Sequence, residues 1–225
     1  MDIEEFKDFD WGGVPPHTKK QLIFDITHKL YEMFFKVEEG DVVVDIGAFI
    51  GTFTYSILRR NPEHCWVIEP VEHFFKTTYN NLKNNQVSFV RGALSNDPTL
   101  ELTYCGEKSV TPGINFKQFI QDNCIEKIDF LKTDCEGGEY LIFTEENIDF
   151  LKNNVKKIAG EFHLDNPNKD VTEKNEQFRN FRDNFLVRFN KYHVRSVDLV
   201  DIKWDLFNEH FIEYYKEVLI FIDNR

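Results

Sequence analysis

Apolar residues in this chain fall into short continuous blocks, separated by stretches where they recur every three or four positions. The clearest block is Val42-Val43-Val44-Asp45-Ile46-Gly47. A β-branched run of this length, bounded by glycine, predicts a strand buried on both faces. Similar blocks predict strands at 65–69, 87–91, 128–134, 155–162, 193–199 and 217–223, with a possible small strand at 100–104. Helical spacing of Leu22, Ile26, Leu30, Met33 and Phe34 predicts an amphipathic helix over 17–37. Further helices are expected at 52–60, 71–84, 116–123, 139–151 and 173–189, and a turn at Asn96-Asp97-Pro98. Residues 1–16 read as an irregular lead-in.

Strands alternating with helices imply βαβ units. The fold class is therefore α/β, a doubly wound and mostly parallel seven-stranded sheet with helices on both faces. No linker or repeat divides the chain, so residues 1–225 read as one domain: lead-in to 37, cofactor-binding core over 38–165, and a closing helix and strands over 166–225.

Composition narrows the class. The chain has 225 residues, with 39 acidic against 27 basic side chains, a formal charge of −12. That balance repels polyphosphate and sets the expectation against nucleic acid. Cys65, Cys105, Cys124 and Cys135 form no CxxC pair, which argues against a structural zinc site or a redox dithiol. No basic, apolar leader opens the sequence, and no apolar run nears the ~20 residues that span a bilayer. A cytoplasmic protein without a membrane partner is expected. The 23 phenylalanines, including Phe34-Phe35 and Phe74-Phe75, read as core.

In such sheets ligands bind beyond the carboxyl ends of the strands. The first strand runs into Asp45-Ile46-Gly47-Ala48-Phe49-Ile50-Gly51, the second into Glu69-Pro70 and the third into Gly92-Ala93-Leu94-Ser95. The fourth runs into Asp134-Cys135-Glu136-Gly137-Gly138-Glu139, and the fifth ends at Glu161-Phe162-His163. Gly47 and Gly51 permit a tight turn and a close backbone approach. Glu69 lies 24 residues beyond Asp45, near the ~20-residue offset at which an acid grips ribose hydroxyls. The GxGxxG spacing of a dinucleotide site is absent, and Asp45 would oppose a pyrophosphate. An acid there suits a cofactor with a cationic end, as S-adenosylmethionine has.

With these residues in view, the chain resembles the FkbM family of S-adenosylmethionine-dependent methyltransferases. The resemblance rests on VVVDIGAFIGTFT (42–54), VIEP (67–70), the V-x-G-A-L-S stretch 90–95, IDFLKTDCEGGE (128–139) and EFH (161–163). It covers roughly residues 35–165 and implies a Rossmann-like methyltransferase fold. It also implies that Asp45, Gly47, Ala48, Phe49 and Gly51 line the methionine end of the cofactor. Glu69 and Pro70 would lie at the ribose, Gly92, Ala93 and Leu94 near the adenine, and Asp134 at the transferred methyl. The family mostly methylates hydroxyls of sugars and other natural products, so a small-molecule or glycan acceptor is expected. Asp134-Cys135-Glu136-Gly137 departs from the (D/N)PP(Y/F) signature of methyltransferases acting on amino groups of DNA bases.

An alcohol must lose a proton as it attacks a methyl group, and a base within reach helps. His163 is the first candidate, with Glu136 and Glu161 as alternatives. Together with Asp134, these side chains could instead hold a magnesium or manganese ion. A structural role for His163 is an equal reading. Trp11 and Tyr104 are candidates to line an acceptor pocket. Two rival functions remain open: a catalytically silent methyltransferase-like binding protein, and a nicotinamide-dependent oxidoreductase.

Overall fold

The computed structural model describes residues 6–83, 86–164, 171–208 and 210–225, with backbone alone over 171–175. The start of the expected lead-in and the last residue of the helix expected at 71–84 lie outside the described residues. The chain divides into two compact units, Met1–Ile114 and Asn115–Arg225.

The first unit begins with α1 (Pro16–His28), followed by β1 (Val42–Ile46), α2 (Thr52–Leu58), β2 (His64–Glu69), α3 (Glu72–Leu82) and β3 (Val87–Arg91). β1 pairs in parallel with β2, Asp45 opposite Val67, and β2 with β3, Glu69 opposite Arg91. Val43, Val44, Asp45 and Ile46 are all buried, as a strand covered on both faces requires.

The helix expected over 17–37 stops early. Lys29 turns left-handed (φ 53°) and its N–H caps the helix on Asp25 and Ile26. Glu32 accepts the Val37 N–H at 2.8 Å and is paired with Arg60. These bonds pull the chain off the helical path, so that Leu30, Tyr31, Phe35 and Val37 bury instead of α1, which has no buried residue.

Beyond β3 the expected irregular stretch is ordered as β4 (Ala93–Leu94), β5 (Thr99–Tyr104) and β6 (Glu107–Ile114), a second sheet in the order β4-β6-β5. β5 and β6 form a hairpin turning at Cys105-Gly106, both at positive φ (49° and 81°). Turns of that hand match the twist of paired strands.

The second unit holds α4 (Phe116–Asp122), β7 (Phe130–Thr133), α5 (Ile148–Asn153), β8 (Lys157–His163), α6 (Val171–Asn180), β9 (Tyr192–Ser196), α7 (Phe211–Tyr214) and β10 (Glu217–Asp223). β7 and β8 are parallel, while β10 runs antiparallel to both β8 and β9. The expected helix at 139–151 is replaced by a 3-10 turn (Glu139–Leu141) and the short α5. Buried Asn147 explains the break: its Nδ2 donates to Ile142 O at 3.0 Å, taking a carbonyl that a continuous helix would use. Past α6 the helix continues as a π turn (Phe181–Phe185) and a 3-10 turn (Leu186–Arg188).

Seven strands make the main sheet, β3-β2-β1 from the first unit and β7-β8-β10-β9 from the second, flanked by helices. This is the mostly parallel α/β fold expected. Among the described residues no helix is long and apolar enough to cross a membrane.

Phenylalanine carries much of the packing. In the second unit Phe162 stacks on Phe181 at 4.6 Å, and Phe143 meets Phe181 edge-on at 4.8 Å. In the first, Phe6, Phe9, Ile50, Val71 and Phe74 cluster, with Trp11 and Tyr55 packed against them. Phe162 is fully buried on β8, one residue before His163. Phe162→Ala is expected to lower stability by about 3–5 kcal/mol in urea unfolding, since truncating a packed aromatic leaves a cavity. A loss below about 1 kcal/mol would mean that the cluster does not close-pack.

Candidate active site

In the first unit the candidate cofactor residues stand at three consecutive strand ends. The chain leaves β1 through Gly47 (φ 76°), Phe49 (φ 53°) and Gly51 (φ 85°) and enters α2 at Thr52. A left-handed phenylalanine is uncommon and must be held. The Glu69 carboxylate holds it: Oε2 accepts the Phe49 N–H at 2.8 Å, while Oε1 accepts the Val71 N–H at 2.8 Å. The Thr78 hydroxyl donates to Phe49 O, and the Phe49 ring packs on Phe74 (4.4 Å) and Tyr104 (5.7 Å). Gly51 sits at φ 85°, where a side chain is strained, and a Cβ there would press on Leu82 Cδ1 at 2.9 Å.

The other amides of this loop are also engaged. Gly47 and Ala48 both donate to Ile68 O at 3.0 Å, and Gly51 donates to Ala48 O at 2.8 Å. Asp45 is fully buried and accepts the Thr54 hydroxyl at 2.7 Å. Gly92 donates to Glu69 O at 3.3 Å, and Ala93 and Leu94 continue as β4 against Gly113 and Ile114. Half-buried Pro70 receives the Ser109 hydroxyl at 3.3 Å. Asp45, Gly47, Ala48, Phe49, Gly51, Glu69, Pro70, Gly92, Ala93 and Leu94 thus occupy adjoining ends of β1, β2 and β3.

In the second unit, Asp134, Glu136, Glu161 and His163 gather at the ends of β7 and β8. His163 Nδ1 is 3.0 Å from Glu139 Oε1, and its Nε2 lies 3.6 Å from Glu136 and 3.8 Å from Glu161. Asp134 lies 3.9 Å from the buried Lys132 ammonium. Ligand atoms of Asp134, Glu161 and His163 lie within 4.8 Å of one another, a spacing that a cation could bridge.

Glu139 is the residue that sequence reasoning passed over. It is fully buried, and besides His163 it accepts the N–H groups of Cys135 (2.8 Å) and Gly137 (2.9 Å). Its position inside the 128–139 motif was visible, but nothing in the residue order distinguished it from a solvated acid.

Burial alone would pull the His163 imidazole down. The Glu139 carboxylate at hydrogen-bond distance, with Asp134 and Glu136 behind it, outweighs this and raises it to about 10. Glu139 is pushed up by burial but ends below the usual carboxylate range, because of His163 and the backbone amides of Cys135 and Glu139 itself. The pair is therefore imidazolium and carboxylate at neutral pH. Half-buried Cys135 remains a thiol, held up by burial and by Glu139. The Tyr140 hydroxyl donates to His163 O at 2.9 Å and fixes the strand end. Of the two candidate pocket aromatics, Tyr104 packs on Phe49 and Phe74, while Trp11 packs on Phe6 and Phe9 under the Lys19 ammonium.

Residues 109–194 match the Methyltransferase FkbM domain, so the chain carries FkbM sequence over that stretch and the resemblance drawn from its motifs is borne out. The match takes in 128–139 and 161–163 and leaves 42–54, 67–70 and 90–95 outside. No curated protein matches. Among solved structures, the O-methyltransferase from Bacillus cereus in complex with SAH is 13% identical (TM-score 0.49; 98% of this chain, 87% of that one). The precorrin 8W decarboxylase of Methanobacterium thermoautotrophicum is 18% identical (TM-score 0.48; 93% and 92%). The precorrin-6y C5,15-methyltransferase of Geobacter metallireducens is 13% identical (TM-score 0.44; 91% and 87%). Likenesses this distant concern the fold alone.

The His163–Glu139 pair sets a pH dependence. A histidine raised in the folded state stabilises fully below its ordinary 6.5, and that contribution is lost as pH rises through about 10. Stability in urea should therefore fall between pH 6.5 and 10. Glu139→Gln should flatten the slope; an equally steep slope in the variant would show that Glu139 does not hold the His163 proton.

Proposed function

We propose that this chain is an S-adenosylmethionine-dependent O-methyltransferase that modifies a hydroxyl of a sugar, a glycan or another small molecule. The observation that carries the cofactor reading is the state of the loop after β1. The amides of Gly47, Ala48, Phe49 and Gly51 are already spent inside the protein, and the side chains around them are the acids Asp45 and Glu69. A pyrophosphate needs the opposite, donor amides and no buried acid. This favours a cofactor with a cationic end over a nicotinamide dinucleotide. When bound, S-adenosylmethionine supplies a methyl group activated by its positive sulfur.

On this reading Asp45, Gly47, Ala48, Phe49 and Gly51 accommodate the methionine end, and Glu69 accepts from the ribose hydroxyls. Pro70 lies beside Glu69 at the ribose, Gly92, Ala93 and Leu94 provide the surface for the adenine, and Asp134 serves at the methyl end. Alignment supplies most of the acceleration in such displacements, about 7–11 kcal/mol. His163 already holds a proton at neutral pH. That favours Glu136 or Glu161 as the group receiving the hydroxyl proton, with His163 holding them in place.

A second reading has magnesium or manganese on Asp134, Glu161 and His163, supported by the spacing of their ligand atoms. A cation there must displace the His163 proton, so its binding would be proton-coupled and weaken as pH falls. The acidic balance supports an acceptor that is not nucleic acid. We place the chain, as part of the same proposal, in the cytoplasm without a membrane partner and as a single methyltransferase domain.

Calorimetric titration with S-adenosylhomocysteine, with and without magnesium and with NAD as control, tests the reading. Micromolar binding of S-adenosylhomocysteine and none of NAD are expected; binding of NAD alone would overturn it. Glu69→Ala should weaken S-adenosylhomocysteine binding by about 1.5–3 kcal/mol, the worth of hydrogen bonds to a charged group. A silent binding protein would bind the cofactor but show no change in any activity on Glu136→Gln or Asp134→Asn.

A further inference from the structure

In the first unit, the β5–β6 hairpin lies against the ends of β2 and β3. Ser109 and Thr111 of β6 are buried while Val110 between them is 59% exposed, the alternation of a strand with one covered face. On that face the Ser109 hydroxyl donates to Pro70 O and accepts the Glu72 N–H, both at 3.3 Å. Further along the strand Gly113 pairs with Ala93. Between them the Pro112 carbonyl lies against Gly92, where a Cβ would meet its oxygen at 2.9 Å. Thr111 is thereby bracketed by Pro70 on one side and by Gly92 and Ala93 on the other.

Thr111 is 1% exposed, and its hydroxyl has no hydrogen-bond partner among the described residues. A hydroxyl left in this state destabilises a fold by its full desolvation cost. Valine has the same shape, would avoid that cost and suits a strand at least as well. Ser109 shows the contrast, since its hydroxyl on the same face is spent on the backbone. Arg91 reaches the same strand, donating to Val110 O at 2.5 Å and to Ser109 Oγ at 3.5 Å, and its Nε is also buried without a partner. A hydroxyl kept here at a cost points to a partner that arrives from outside the fold.

The bracketing residues select that partner. On the methyltransferase reading Pro70 lies at the ribose and Gly92, Ala93 and Leu94 at the adenine, so Thr111 stands at the nucleoside half of the cofactor. An adenine edge offers ring nitrogens that accept and an amino group that donates, and a hydroxyl answers either. We propose that Thr111 is a cofactor-binding residue whose hydroxyl bonds the adenine base of S-adenosylmethionine. It lies outside every motif that carries the family resemblance, on a strand that the residue order did not reveal. The proposal rests on the methyltransferase reading.

The test is calorimetric titration of the full chain with S-adenosylhomocysteine and with 5′-methylthioadenosine, which lacks the amino-acid end, beside thermal unfolding without ligand. Thr111→Val should weaken both ligands by the same factor, about three- to tenfold. Thr111→Ser keeps the hydroxyl and should stay within about twofold of the unsubstituted chain. The ligand-free Tm of Thr111→Val should equal or exceed that of the unsubstituted chain, because the orphaned hydroxyl is gone. Undiminished affinity in Thr111→Val, or a loss confined to S-adenosylhomocysteine, overturns the proposal and leaves the methyltransferase reading standing. So does a lower ligand-free Tm in Thr111→Val, which would assign the hydroxyl to a structural water. Failure of the unsubstituted chain to bind either ligand removes the methyltransferase reading, and the proposal with it.

Discussion

A backbone N–H that loses water on folding must find another acceptor, and leaving it without one costs about as much as a lost hydrogen bond. At the ends of β2 and β7 that acceptor is a buried glutamate. Glu69 takes the amides of Phe49 and Val71, and so joins the loop after β1 to the one after β2. Glu139 takes the amides of Cys135 and Gly137 and adds the His163 imidazole. The same device recurs in both units: a carboxylate that would be intolerable alone becomes a strut because its oxygens meet several donors. The left-handed turns at Phe49 and Glu136 persist because these bonds over-determine them.

The strut in the second unit also sets the local chemistry. Histidine beside a buried carboxylate keeps its proton when attraction exceeds the desolvation penalty, and Asp134 and Glu136 add to that attraction. The result is a cationic ring among acids at the ends of β7 and β8. A proton leaving an acceptor would meet a carboxylate more readily than this ring, and a metal ion would have to compete with the ring's proton. One buried residue thereby sets the protonation of its histidine neighbour.

Packing and exposure divide along the chain in a way that suits this chemistry. The phenylalanines behind the strand ends are buried and stacked, which holds the struts within hydrogen-bond tolerance. Between β9 and β10 the same kind of side chain is turned outward, at Trp204 and Phe207, on a base of buried Leu206 and Phe211.

Much of this was legible in the residue order. Strands β1, β2, β3, β8 and β10 fall within two residues of the expected positions, because a short β-branched run buried on both faces has few other uses. The carboxylates of Asp45, Glu69 and Asp134 were visible because strand ends are where an α/β sheet gathers ligands. Of the β5–β6 hairpin only β5 was, as the small strand expected at 100–104; β6, largely exposed, lacks an apolar rhythm. The breaks at Lys29 and Asn147 were hidden too, because each depends on side-chain and backbone bonds that compete with an otherwise favourable helical pattern. By itself, then, the sequence determined the elements and which chemical groups stand at their ends, for those follow from local pattern and burial. The tertiary structure alone decided what each group does there, since Glu139 as strut, His163 as cation and Trp204 as open surface all depend on partners or exposure set by residues far away in the chain.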